Sequence, residues 1–315
     1  MCNEVWLTSP NSNTYAQEND DHDAKSRVFC TKEDCEETFG MFLVKETMYL
    51  PERSYSELIR SSDTIRNARF KSVNWLITAH KRMNLWAATV FLAVNYLDRF
   101  ISIARCRDWK SWMFDLLSVA CLSIASKFNE TNGHSLHDFQ VDFVDTCFAP
   151  TLIQSMELTV LKTLAWRINS ITPFSYIHIL AQSVDDLTKR ATELLLCVVL
   201  DHEFLEFKQC VVAMSAVRCA LDQCVIKTST KNVTFGHLET FIPQDQKDGM
   251  IECRRIMAKV IARDREILIR GKKSPATALK VDLYDFRNFS ADDDSFLRTP
   301  EINVGSGKKR KREEE

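Results

Sequence analysis

From about Phe42 to Ile269 the apolar positions of this chain recur at helical spacing, and one stretch organises the rest. Met113 to Thr131 reads MFDLLSVACLSIASKFNET. Between Leu116 and Phe128 it holds no Gly or Pro and no charge before Lys127, and its apolar residues cover every face. That pattern predicts a helix packed on all sides. The small residues Ser118, Ala120, Cys121, Ser123, Ala125 and Ser126 allow neighbouring helices to approach closely, which places the helix inside a bundle. Lys127 at its end has two readings. It complements the helix C-terminal dipole, or it marks where the core opens onto a surface that a partner grips.

Amphipathic helices flank this element. Arg66 to Arg82 carries Phe70, Val73, Leu76 and Ile77 on one side, and Leu85 to Ile103 carries Ala88, Phe91, Val94, Leu97 and Ile101. Asp98 lies on the inner side of the second helix and needs a partner there. Arg69 of the preceding helix is the candidate for a buried ion pair, and a solvated Asp98–Arg99 neighbour pair is the other reading. Pro150 opens a further helix in which Leu152, Met156, Val160, Leu161 and Leu164 repeat up to Trp166. Glu157 sits among them, as an exposed member of a charge pattern with Lys162 or as a second polar pin beside Lys127.

Ile171-Thr172-Pro173 marks a boundary, because Pro173 disfavours helix at Thr172 and restarts it in a first turn. Helical pattern then returns over Phe174 to Gln182, Leu187 to Phe204, Gln209 to Val225 and Asp245 to Ile269, with a weaker element near Leu238. Val212-Ala213-Met214-Ser215-Ala216 resembles Val119-Ala120-Cys121-Leu122-Ser123 in small-residue content, which points to two similar five-helix domains.

Composition sharpens this picture at the ends of the chain. Across 315 residues there are only 7 Gly and 7 Pro, which disfavours a many-stranded sheet, and 45% hydrophobic content is ample for a core. Residues 1–40 are polar and acidic and read as disordered, as does the mixed-charge tail 271–315. The tail contains Lys308, Lys309, Arg310, Lys311 and Arg312, a run that suits a nuclear-import signal or a solubilising segment. The net charge of −2 gives no general attraction to nucleic acid or to a membrane surface. The 11 Cys are scattered, several within apolar helical runs, as expected of small core residues in a reducing compartment. The longest apolar run, Leu194 to Leu200, is too short to span a bilayer, so the expectation is a soluble intracellular protein.

Chemistry-bearing motifs are missing. There is no Gly-rich phosphate loop and no recognisable Ser or Cys nucleophile motif. His134 and His137 are one turn apart, but no Cys or carboxylate set completes a metal site around them. A di-iron bundle would need Glu-x-x-His pairs, and none occurs. The chain therefore reads as a binding protein with no catalytic residue, cofactor or metal.

Arg69 with Trp75-Leu76, Tyr96-Leu97-Asp98-Arg99-Phe100, the run from Ser123 to Thr131, and Met156-Glu157-Leu158 with Leu164-Ala165-Trp166-Arg167-Ile168-Asn169 resemble the first cyclin box of a cyclin, most closely a plant D-type cyclin. The resemblance implies an all-α fold of two five-helix cyclin boxes in tandem, with a leading helix and first box at 41–170, a second box at 171–270, and disordered tails. It implies a regulatory subunit that binds and activates a cyclin-dependent serine/threonine protein kinase at G1/S, in nucleus and cytoplasm. A transcription-type cyclin-box scaffold, binding nucleic acid or transcription factors, is the alternative. Lys127 and Glu157 match the family's charged pair that grips the kinase near its αC helix, Phe128, Leu161 and Trp166 match apolar positions around it, and Arg69 and Asp98 match an internal ion pair.

Two departures stand out. Where cyclins with a substrate-recruiting groove show Met-Arg-Ala-Ile-Leu, this chain has Ala68-Arg69-Phe70-Lys71-Ser72, so such a groove is expected to be weaker or differently selective. The family's L-x-C-x-E peptide for retinoblastoma-type pocket proteins is matched only at Cys2 and Glu4. This predicts a degenerate motif with weak pocket-protein binding, or a start upstream of Met1.

Overall fold

A computed structural model of the chain describes residues 31–136, 138–140, 148–181, 184–223, 239–240, 242 and 244–271. Ten α-helices run through them: α1 (Lys32–Glu46), α2 (Tyr55–Ser61), α3 (Asp63–Met83), α4 (Ala87–Ala104), α5 (Ser111–Asn129), α6 (Pro150–Thr163), α7 (Pro173–Ala181), α8 (Asp185–Val198), α9 (Gln209–Gln223) and α10 (Gln244–Gly271). No strand occurs among the described residues.

α5 is the centre of the first domain. Every residue from Met113 to Ser126 is buried, and α3, α4 and α6 pack around the helix. Each fully buried leucine here, Leu116, Leu117 and Leu122 among them, contributes roughly 1.5–3 kcal/mol relative to exposure. α4 is buried almost as completely, from Thr89 to Ser102. Both helices are long and apolar enough to cross a membrane, yet 78% of each such span is buried inside the protein, where the apolar faces are already used. α9 has the corresponding place in the second domain, with Cys210, Ala213, Met214, Ala216 and Val217 enclosed by α7, α8 and α10.

The N-terminal expectation needs correction, because helix begins at Lys32 rather than after residue 40. Thr31 and Asp34 form a reciprocal capping box that satisfies the first backbone donors. Cys35 and Phe39 supply the buried contacts that hold the helix down. Although α1 leads the first domain in sequence, it docks on the second. Phe39 and Phe42 both meet the Tyr176 ring edge-on, with centroids 5.4 and 5.5 Å away. At its end Glu46 is almost fully buried, accepting from the Tyr176 hydroxyl at 2.8 Å and from the Cys210 backbone N–H at 3.0 Å. Burial pushes the Glu46 carboxyl above its ordinary value, and the donors from Tyr176 and Cys210 only partly offset this.

The two domains are joined by specific polar contacts as well as by packing. α8 ends at Val198, short of the expected Phe204, and Asp201 caps a 3-10 turn over His202–Glu206. The carbonyls freed at that end accept from Arg69 of the first domain. Phe91 of α4 stacks on Phe174 of α7 at 5.6 Å, and Arg60 pairs with Glu206. The connection between the domains is held by Tyr96, whose hydroxyl donates to the Ile168 carbonyl at 2.6 Å, and by Arg99, which donates to the Arg167 carbonyl at 2.8 Å.

Seven cysteines fall among the described residues, and they are thiols rather than halves of disulfides. The basic run Lys308–Arg312 and the Cys2 and Glu4 positions lie outside the described residues.

Candidate functional site: the open end of the central helix

Two ion pairs bracket the first domain. Asp98 faces inward from α4, and its carboxylate meets the Arg69 guanidinium in a fork, Nε to Oδ1 at 2.7 Å and Nη2 to Oδ2 at 3.0 Å. Tyr55 donates a third bond to Oδ1 at 2.6 Å. Arg69 also reaches the Leu200 carbonyl at 3.1 Å and the Val199 carbonyl at 3.2 Å, just past the C-terminus of α8. Burial opposes its charge, but Asp98 outweighs that and holds the guanidinium above its usual range. A cation at that helix end also complements its dipole. Arg99 has no part in the pair. It binds the connection between the domains and lies over the Tyr49 ring at 5.4 Å, so the solvated Asp98–Arg99 reading does not hold.

The second pair stands at the surface. Lys127 Nζ donates to both carboxylate oxygens of Glu157, at 2.7 and 2.8 Å, joining the end of α5 to the middle of α6. The Glu157 side chain is 11% exposed and that of Lys127 is 58% exposed. Glu157 is thus the inner pin and does not belong to an exposed pattern with Lys162. An ammonium carries three donors, so one remains beyond the two that Glu157 takes.

Apolar side chains stand open on adjoining residues. Phe128 and Leu158 are exposed, and Trp166 is 62% exposed. Leu161, one turn after Glu157, is half-buried and packs on the core. Trp166 is presented by an unusual backbone turn. Ala165 and Trp166 take left-handed φ values of 51° and 59°, and the Trp166 N–H closes onto the Leu161 carbonyl at 2.8 Å. This conformation costs an L-residue roughly 1–2 kcal/mol. Leu158 enters the sequence analysis only within the Met156-Glu157-Leu158 motif; its place off the stripe of Leu152, Met156, Val160 and Leu164 is the signal that it faces outward.

Asn129 and Glu130 hold this end of α5 in place. The Glu130 carboxylate accepts the Trp86 backbone N–H at 2.9 Å and the Thr89 hydroxyl, and Asn129 donates to Thr89 at 2.9 Å. α4 has no side-chain cap of its own at Trp86, so Glu130 serves as that cap and places a carboxylate at the helix N-terminus. Motif residues 127–130 therefore divide into an outward half, Lys127 and Phe128, and an anchoring half.

The departing segment at Lys71 also has a definite role. Lys71 Nζ lies 3.3 Å from the Asp115 carboxylate and 3.4 Å from the Ser111 hydroxyl. Burial raises the Asp115 carboxyl while Lys71 opposes the shift. Phe70 beside it is exposed. Among the described residues no group of three or more His, Cys, Asp or Glu is placed to hold a metal.

Comparison with known proteins matches this architecture. Residues 37–169 match the family described as "Cyclin, N-terminal domain", and residues 171–278 match "Cyclin, C-terminal domain". Cyclin-D1-1 of Arabidopsis thaliana is 32% identical over 228 residues, covering 70% of this chain and 67% of that protein. Cyclin-D2-1 of Oryza sativa subsp. japonica is 30% identical over 252 residues, covering 78% and 76%. The X-ray structure of a viral cyclin from herpesvirus saimiri has the same fold, with a TM-score of 0.59, 13% identity, and coverage of 71% of this chain and 96% of that one. The chain belongs to the cyclin family, with plant D-type cyclins among its relatives, and is the regulatory subunit of a cyclin-dependent protein kinase rather than an enzyme itself.

Proposed function

We propose that the chain docks its kinase through the face formed by Lys127, Glu157, Phe128, Leu161 and Trp166, with Leu158 added, and acts at entry into the cell cycle (G1/S). One observation carries this reading: a surface Lys–Glu pair with a donor to spare stands among apolar side chains that the fold leaves open. Structural packing does not require Lys127 to be so exposed, nor Trp166 to be held out on a left-handed turn. A partner that buries the aromatic and aliphatic groups and accepts from Lys127 fits both features.

The chain contributes no catalytic group. Docking acts as a population shift: it favours the kinase conformation in which αC is held inward, its Lys–Glu ion pair forms and the activation loop orders. The basic run Lys308–Arg312 supports import into the nucleus, and the partial motif at Cys2 and Glu4 supports at most weak binding of a retinoblastoma-type pocket protein.

The test is reconstitution of the full chain with a purified plant cyclin-dependent kinase and a histone substrate. Wild type is expected to stimulate phosphorylation, and Trp166→Ala and Phe128→Ala to lose most of the stimulation while remaining folded. Stimulation unchanged in both variants would remove this face as the docking surface. A wild-type chain that stimulates no such kinase but binds DNA in a salt-dependent manner would favour the transcription-type scaffold instead.

A further inference from the structure

Two arginines meet where the first domain passes into the second, and no acid answers them. Arg99 is 3% exposed, so its charge is almost wholly removed from water. Its Nη1 donates to the Arg167 carbonyl at 2.8 Å and to the Ser170 hydroxyl at 3.3 Å, and its guanidinium lies over the Tyr49 ring at 5.4 Å. None of these partners carries a negative charge. Asp98, the neighbour in sequence, is committed to Arg69 and Tyr55. Among the described residues no carboxylate pairs with Arg99.

Arg167 makes the imbalance larger. It is exposed, its side chain has no hydrogen-bond or ion-pair partner among the described residues, and its charge acts on Arg99. Burial first and Arg167 second hold the Arg99 guanidinium below its usual range, with only Tyr49 and Tyr96 opposing them. Arg69, as deeply buried, is raised instead because Asp98 stands beside it. One carboxylate separates the two cases.

The unused donors of Arg99 are not sealed off. A guanidinium has five N–H groups, and those on Nε and Nη2 have no partner among the described residues. Neither nitrogen is among the polar atoms that the fold encloses unsatisfied, so both reach the narrow part of the residue that solvent touches. Arg167 directly follows the exposed Trp166, which brings the cluster to the docking face.

We propose that the kinase, on docking, places a carboxylate, the side chain of an Asp or Glu, against the Arg99–Arg167 cluster. A planar carboxylate matches the fork of a guanidinium, and it does for Arg99 what Asp98 does for Arg69. Partial burial spares such a contact much of the screening that weakens surface pairs. The inference rests on the docking reading above and adds to it a second acidic group of the partner, separate from the acceptor of Lys127.

The experiment measures the affinity of the full-length chain for a purified plant cyclin-dependent kinase, with wild type, Trp166→Ala, Arg167→Lys, Arg167→Gln and Arg167→Glu. Arg167 is the position to vary, because its side chain has no partner in the fold whereas Arg99 clamps the connection. Arg167→Glu is expected to weaken binding about tenfold or more, Arg167→Gln less, and Arg167→Lys least. Changing one acidic residue of the kinase to Lys is expected to restore binding to Arg167→Glu, which a merely structural effect does not do. Wild-type or tighter affinity for Arg167→Glu, with Trp166→Ala weakened, would overturn this inference and leave the docking reading intact. A loss that no such change in the kinase restores, or that disappears once the kinase is treated with phosphatase, would overturn the carboxylate as well. A wild-type chain that binds no such kinase would remove both readings.

Discussion

Two ion pairs of the first domain, Arg69–Asp98 and Lys127–Glu157, are built from the same chemistry and do opposite things. Arg69 and Asp98 have side chains 2% and 5% exposed, with Tyr55 and two α8-end carbonyls satisfying what the pair itself leaves over. Lys127 and Glu157 are as close, but one member stands in solvent with a donor unused. Bidentate geometry and burial fix the first pair as a structural joint between domains. A flexible stem and a compact, hydrated charge make the second suited to contact with a partner. The contrast shows that a charged pair inferred from sequence acquires its role from what surrounds it.

The sharpest way to break the contrast is at the buried pair. Arg69→Met leaves Asp98 unpaired and the Val199 and Leu200 carbonyls without their donor, and is expected to cost about 3–5 kcal/mol in urea unfolding. A loss below about 1 kcal/mol would mean that Arg69 behaves like a surface charge.

Glu46 supplies a pH-dependent counterpart. Its carboxyl is raised by burial, so between its ordinary value of 4.5 and the raised value the folded chain holds more proton than the unfolded one. Its contribution to stability therefore falls as pH rises through that window and is level above it. Glu46→Gln is expected to gain thermal stability relative to wild type as pH rises through the window. A difference between the two that is independent of pH would contradict the burial account.

Smaller effects sharpen the description of the open end. Glu130→Ala removes the cap on α4 and should cost about 0.5–2 kcal/mol. Ala165→Gly relieves a left-handed residue and should add roughly 1 kcal/mol to stability. Lys71→Ala, at a mostly exposed partner of Asp115, should change unfolding by less than about 1 kcal/mol.

Much of this molecule was legible in its sequence, for physical reasons that differ by element. α5 was readable because a helix without charge over so many turns has to be buried on all sides, and a lysine ending it has to find either a dipole or an acid. Asp98 was readable because an acid on an inner face needs a cation, and the helix before it offered Arg69. What Arg69 does beyond Asp98 was not readable, since its carbonyl partners lie 130 and 131 residues further along. The first turns of α1, before residue 41, were missed for a related reason. Their apolar residues, Cys35 and Phe39, are scattered among charges, and their burial depends on Tyr176 and the second domain. The turn at Ala165-Trp166 carries no glycine, so nothing in its composition signals left-handed backbone.

The most direct test pairs two measurements on one variant: the affinity of full-length Lys127→Glu for a plant cyclin-dependent kinase, and its urea unfolding. The account predicts a loss of about 2–5 kcal/mol in binding, because the reversed charge opposes Glu157 and the partner's acceptor, with unfolding changed by no more than about 1 kcal/mol. Kinase affinity equal to wild type in a folded Lys127→Glu chain would contradict it.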